Sequence, residues 1–246
     1  MRRRFFVERF EPRSAALRGD AAEHLGRVLR AEAGQLYELS DGHSVWLARV
    51  ERVTLPKRGE SCIDFALVEN LPAREPRLAL HLLLSIIKFD RFEWCLEKAT
   101  ELGATEITPL AAARTDKALL AAAAKRHARW EKIALESAQQ SRRLRPPVVG
   151  AAVRPGDAFA KSGAGLKLLL SERADAPALR KALEGAEAKS AALAIGPEGG
   201  WTEEEVAAAR AAGFREASLG ENILRTETAV IAALAILRFA LHADSD

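Results

Sequence analysis

Ala191-Ala192-Leu193-Ala194-Ile195-Gly196-Pro197-Glu198-Gly199-Gly200-Trp201 is an apolar run that breaks into a glycine-rich turn. Thr202 to Ala212 follows with helical character, Thr202 as its N-cap and Glu205 completing a capping box. The stretch therefore reads strand, turn, helix, and the same order recurs on both sides of it. Lys167 to Leu170 is a buried strand and Pro177 to Leu183 a short helix. Ala217 to Leu219 is another strand, and Thr226 to Leu241 a closing helix. Further upstream come a strand over Leu78 to Ile87, a helical stripe of Phe92, Leu96, Ala99 and Leu102, a strand over Ile107 to Leu110, and an Ala/Lys/Arg helical region running to Gln140. Such alternation predicts an α/β domain built on a mainly parallel sheet.

The first seventy residues have a different pattern. Phe5 to Val7, Leu36 to Leu39, Val45 to Val50 and Cys62 to Val68 read as short strands, with Asp41-Gly42 as a hairpin signal. One helix interrupts them, with Asp20 as its N-cap and Leu25, Val28 and Leu29 on one face. Short strands with one helix suggest a small barrel. Asn70 to Arg77 is a polar linker with two prolines. The expected domains are residues 1–72 and 73–246.

The chain has 246 residues, 48% hydrophobic and 29% charged, which suits a globular protein with a substantial core. Only a short tail after Leu241 reads as disordered. Cys62 and Cys95 lie in different segments and match no metal spacing, so two buried thiols in a reducing compartment are expected. The five histidines are scattered, and a metal site has no support. The basic start Met1-Arg2-Arg3-Arg4 is followed at once by charged residues rather than an apolar stretch, and no run approaches the roughly 20 apolar residues of a spanning helix. A cytoplasmic protein without a membrane segment is expected. Trp46 and Trp94 read as core.

The net charge of +3 is unevenly spread. Arg114 to Arg145 holds nine Lys and Arg against three Asp and Glu, and Pro146 to the end holds eleven against fourteen. A solvated helix face and a phosphate-binding footprint both account for the basic stretch.

Ligands of parallel α/β sheets bind beyond the carboxyl ends of the strands. Three such ends stand out. The first is Leu169-Leu170-Ser171-Glu172. The second is Ile195-Gly196-Pro197-Glu198-Gly199-Gly200. The third is Leu219-Gly220-Glu221-Asn222-Ile223-Leu224-Arg225-Thr226. Glycines there allow tight turning and close backbone approach to a ligand. Glu198, Glu203, Glu204 and Glu205 crowd one helix N-terminus, a poor setting for pyrophosphate. A ligand with a positive centre and ribose hydroxyls, such as S-adenosylmethionine, suits it better. Arg225 among Ile223, Leu224 and Ala229 reads as a half-buried guanidinium in need of a partner, with Glu227 or Glu221 at hand.

The pairing of Gly196-Pro197-Glu198-Gly199-Gly200 and Leu219-Gly220 with Leu224-Arg225-Thr226-Glu227-Thr228-Ala229 resembles the RsmE family of ribosomal RNA methyltransferases. Arg4-Phe5-Phe6-Val7, Glu97 to Gly103, Ile107-Thr108-Pro109-Leu110, Arg114-Thr115 and Gln139-Gln140-Ser141 are similar to that family too, in order along nearly the whole chain. The resemblance implies a PUA-like barrel followed by a SPOUT domain with a deep trefoil knot, a homodimer, and S-adenosylmethionine-dependent methylation of a uridine N3 in 16S ribosomal RNA. It places the cofactor against Leu170, Ser171, Glu172, Ile195, Gly196, Pro197, Glu198, Gly199, Gly200, Leu219, Gly220, Ile223, Leu224 and Thr226. Arg225 and Glu172 become the catalytic candidates. Arg4, Lys88, Arg114, Arg142, Arg143 and Arg145 become the RNA-facing candidates, in RNA that is free or within the assembled subunit. Two positions depart from the family: many members have Arg where this chain has Asn222, and Gly where it has Arg142. A non-catalytic RNA-binding protein, and a relative acting on another position such as a ribose 2′-oxygen, are the alternatives. The latter enzymes usually carry an Asn-Val-Ser type segment where Leu224 to Thr228 stands here.

Overall fold

A computed structural model describes residues 3–173 and 175–241, in two compact units: Met1–Glu75 with Ala138–Pro146, and Pro76–Ser137 with Pro147–Asp246. The tail beyond Leu241 lies outside the described residues.

The first unit contains β1 (Arg4–Phe6), β2 (Ser14–Arg18), α1 (Gly19–Glu23) running into a π-helical turn His24–Val28, β3 (Leu36–Ser40), β4 (Val45–Thr54) and β5 (Cys62–Leu71). They form one sheet in the order β1-β3-β4-β5-β2, with β1 parallel to β3 and the other pairs antiparallel. Alternate residues turn inward: Phe5 and Val7, Ala15 and Leu17, Ile63 and Phe65 are all buried. Register shifts between Leu47 and Ala48 and between Val50 and Arg52 bend the sheet into a half-barrel whose edges are β1 and β2, where the alternation alone suggested a barrel. The hairpin forms at Asp41-Gly42, where Asp41 Oδ1 accepts from the backbone N–H groups of His43 (2.9 Å) and Ser44 (2.7 Å). Asp20 is not the N-cap of α1. Gly19, at φ +57°, turns β2 directly into the helix, Arg18 takes the cap position, and Asp20 falls in the first turn. Leu25 is buried as expected, but Val28 is exposed. Ser40 Oγ donates to the Leu144 carbonyl at 2.6 Å, fixing the returning segment 138–146 to β3.

The second unit runs β6 (Ala79–Ser85), α2 (Phe89–Glu101), β7 (Glu106–Leu110), α3 (Lys117–Gln140, its last residues in the first unit), β8 (Val148–Val149), α4 (Pro155–Lys161), β9 (Leu166–Leu170), α5 (Leu179–Leu183), β10 (Ser190–Ile195), α6 (Glu203–Ala211), β11 (Arg215–Ala217) and α7 (Thr226–Leu241). The sheet order is β11-β9-β10-β6-β7-β8, every pairing parallel. Both faces are covered, which is why these strands are apolar throughout rather than alternating. Leu80, Leu82, Leu84, Leu168, Leu193 and Ile195 pack on one side with Phe92, Leu96, Val230 and Leu234. Leu83, Leu169, Ala192 and Ala194 pack on the other with Phe159, Val206 and Phe214.

The buried tryptophan is Trp130, its ring 4.6 Å from that of Phe92. Trp94, expected in the core, lies off the apolar stripe of α2 and is 42% exposed; Trp46 is half-buried. Cys62 and Cys95 are both free, and only Cys95 is fully enclosed. Among the described residues no helix is long and apolar enough to cross a membrane, and no group of three or more His, Cys, Asp or Glu is placed to hold a metal ion.

Candidate functional site

The three strand ends, two of them glycine-bearing, converge because β11, β9 and β10 are neighbours with a common direction. Beyond their carboxyl ends lies a cleft of about 680 Å³. Its wall contains Leu170 to Glu172, Ile195 to Gly200, Leu219, Gly220, Ile223, Leu224 and Thr226, which are all of the residues assigned to a cofactor from the sequence. Arg225 lines it as well, as do Arg91, Arg114, Arg173 and Trp201, which sequence reasoning did not place there.

The turn after β10 is tied down on several sides. The Gly200 N–H donates to the Pro197 carbonyl at 2.8 Å, with Gly200 at φ +72°, a conformation that favours glycine. Trp201 Nε1 donates to the Leu170 carbonyl at 2.9 Å, joining the second strand end to the first. A Cβ on Gly196 would come within 3.0 Å of the Trp201 ring, and one on Gly199 within 3.3 Å of Arg114 Cβ. A side chain at either position would therefore crowd its neighbour, which would have to shift by a few tenths of an ångström. Thr202 caps α6 as expected: its Oγ1 accepts from the Glu205 N–H, and Glu205 Oε2 accepts from the Thr202 N–H.

The acidic cluster is not four free charges. Glu198 is ion-paired with Arg91, and Glu203 accepts from Arg173 Nη1 at 2.7 Å. Glu205 is used up in the cap and by the Ala113 N–H, which it accepts at 2.8 Å. Glu204 is held below the usual carboxylate range by its own backbone N–H and the Thr202 hydroxyl. The crowded acids are therefore largely neutralised and do not by themselves favour a cationic ligand. What fits S-adenosylmethionine better is the cleft itself. Leu170, Ile195, Leu219, Leu224 and Ala229 offer apolar surface for a flat base, and polar backbone and Glu172 lie beside it.

Arg225 differs from its expected environment. It is exposed at the start of α7 and, among the described residues, makes no ion pair with Glu221, Glu227 or any other carboxylate. Glu227 instead turns inward, with one buried carboxylate oxygen lacking a partner. Its charge and burial push the Cys95 thiol up to about 12, burial being the larger cause.

The RNA-facing candidates are distributed. Lys88 is exposed just ahead of α2, and Arg114 is in the cleft wall. Arg4 and Arg142 both meet Glu38, at 2.9 and 3.4 Å, and Arg145 binds Glu75 at 2.6 Å. Arg4 is largely buried, whereas Arg142 and Arg145 are exposed, and Arg143 is half-buried. Arg142 sits at φ +53°, the left-handed region where glycine is favoured. A glycine, the residue that the family resemblance leads one to expect there, would take this conformation without strain.

A second cavity, of about 440 Å³, opens at the opposite ends of β6, β7 and β10. His81 lies in its wall, its Nε2 2.8 Å from Thr108 Oγ1 and 3.5 Å from Glu106.

A ligand cleft at the carboxyl edge of a two-sided parallel sheet, built from three strand-end turns, two of them rich in or opened by glycine, defines an α/β enzyme domain of the kind that binds a nucleoside cofactor. The RNA methyltransferase domain family matches the chain over residues 74–238. A relative named ribosomal RNA small subunit methyltransferase E from Synechocystis sp. is 36% identical over 217 residues, 86% of this chain and 68% of the relative. One of the same name from Bacillus subtilis is 30% identical over 96% of each. The crystal structure of the Neisseria gonorrhoeae protein of that name, bound to S-adenosyl methionine, superposes with a TM-score of 0.83 at 31% identity and 97% coverage of each chain. This chain belongs to the ribosomal RNA small subunit methyltransferase E family.

Proposed function

We propose that this protein transfers a methyl group from S-adenosylmethionine to N3 of a uridine in 16S ribosomal RNA. The observation that carries the reading is Arg225, a cation with no ionic partner among the described residues, standing in the wall of the cleft beside the three strand-end turns. Bound S-adenosylmethionine supplies an electrophilic methyl whose carrier leaves as a neutral thioether. A uridine N3 holds a proton and becomes a competent nucleophile only as that proton departs, when negative charge spreads onto the flanking carbonyl oxygens. Arg225 is the group to stabilise that charge. Glu172, exposed in the cleft wall, is the proton acceptor in this scheme. Glu198 is a poor alternative because Arg91 already holds its carboxylate.

The same reading includes residues 1–72 as an RNA-binding domain and 73–246 as the catalytic domain, threaded as a trefoil knot, in a cytoplasmic homodimer. The dimer is supported by exposed apolar side chains on the packed pair α2 and α7: Trp94, Ile236 and Phe239, the last 81% exposed. Lys88, Arg114, Arg142, Arg143 and Arg145 are the RNA contacts in this reading; Arg4 supports the sheet through Glu38.

The test is nucleoside mass analysis of 16S RNA, free and in small subunits, after incubation with the protein and S-adenosylmethionine. 3-Methyluridine is expected. A ribose 2′-O-methyl nucleoside would move the acceptor to the sugar, and binding of RNA without any methylation would reduce the protein to an RNA-binding module.

A further inference from the structure

We infer that Arg91 is a positioning residue that holds the cofactor turn in its binding shape by pairing with Glu198, with Arg114 as the second half of the clamp. The inference rests on the reading of the cleft as an S-adenosylmethionine site. Arg91 lies in the first turn of α2, directly after β6. The register of β6 with β10 sets Leu84 beside Ile195, so the start of α2 is brought next to the Gly196–Gly200 turn. A cation in a first helical turn faces the positive end of the helix dipole, a local preference broken here. Such conflicts are expected where a tertiary interaction offsets them, commonly at functional sites. Here the offset is Glu198, to which Arg91 Nη1 donates across 107 residues of sequence. The next residue is held as well: Arg114 Nη1 donates to the Gly199 carbonyl at 2.8 Å, from the segment following β7. Two guanidinium groups from two strand ends thus grip consecutive residues of the turn, one by its side chain and one by its backbone.

Both members of the first pair are partly exposed, Arg91 at 32% and Glu198 at 52%. An exposed pair contributes little to global stability and is screened by salt. A positioning role therefore has a signature that a merely structural role lacks: the turn loosens while the fold keeps its melting temperature.

Amide hydrogen exchange in the cofactor-free protein and calorimetric S-adenosylmethionine affinity test this. In Arg91→Ala, amides of 196–201 should exchange about tenfold faster or more, with unchanged exchange in β6 and β9. Affinity should fall by about tenfold, and Arg91→Lys should recover part of it. Glu198→Ala should behave like Arg91→Ala, and the double variant should be no worse than either. Raising salt should weaken binding in the parent and leave Arg91→Ala nearly unaffected. Parent-like exchange and affinity in Arg91→Ala would overturn the inference, as would strictly additive losses in the double variant, which would mean that Glu198 acts on the cofactor by itself. A parent protein that does not bind S-adenosylmethionine would instead overturn the reading of the cleft, while exchange at 196–201 would still report on the clamp.

Discussion

Replacing Arg225 by Ala separates catalysis from folding in this protein. The side chain is exposed and, among the described residues, forms no ion pair, so its loss creates neither a cavity nor an orphaned buried charge. Surface substitutions of that kind usually change stability by less than about 0.5 kcal/mol. The catalytic loss follows from electrostatics. A unit cation about 4 Å from a unit anion at an effective dielectric constant of about 20 gains about 4 kcal/mol. Charge shared between two uridine carbonyl oxygens presents roughly half of that to one guanidinium, or about 2 kcal/mol, equivalent to about thirtyfold in rate. Loss of a single oxyanion donor in other enzymes costs about a hundredfold to a thousandfold. We expect kcat for Arg225→Ala to fall on the order of a hundredfold, with S-adenosylmethionine affinity and melting temperature close to the parent. Single-turnover methylation of 16S RNA, with calorimetry and thermal melting on the same preparation, gives all three quantities. A folded variant that binds cofactor and turns over at the parental rate would remove Arg225 from the chemistry.

Three further outcomes follow from particular contacts. Gly199→Val would press its side chain on Arg114, whose Cβ stands 3.3 Å from the position of a Cβ there. Overpacking of about 1–3 kcal/mol, taken up by the turn, should lower cofactor affinity by about ten- to a hundredfold while the protein stays folded; unchanged calorimetric affinity would show that the turn absorbs the side chain without cost. Arg142→Gly and Arg142→Ala both discard the contact with Glu38, but only glycine relieves the φ of +53°, so the glycine variant should be the more stable by about 1 kcal/mol in urea titrations, and an alanine variant of equal stability would mean the backbone is not strained. Burial lowers the His81 pKa from 6.5, against an opposing pull from Glu106. Because the unfolded chain then binds a proton that the folded chain resists, stability should decline as pH falls below about 6.5, down to the folded value, and His81→Gln should flatten that decline in melts taken between about pH 7.5 and 5; an identical slope in the variant would clear His81 of the effect.

The sequence by itself determined the alternation of strands and helices, the two-sided burial of the parallel sheet and the three turns that make the cleft. These are local properties: period and apolarity fix whether Leu166–Leu170 or Ser190–Ile195 is strand, and Gly200 needs its positive φ whatever lies around it. The capping box at Thr202 and Glu205 was legible for the same reason, its two residues being three apart. Tertiary structure decided what each charge does. Glu198 meets Arg91 only because β6 and β10 are sheet neighbours, and Glu203 meets Arg173 because β9 and β10 are. Read as a string, those carboxylates form an acidic patch; folded, most of them are neutralised or spent on backbone N–H groups. Trp94 and Trp130 carry the same side chain, and only the packing of α2 and α3 makes the second the core residue. The return of Ala138–Pro146 to the first unit, through Ser40 and Leu144, likewise joins residues about a hundred positions apart, and no local preference encodes a hydrogen bond at that separation.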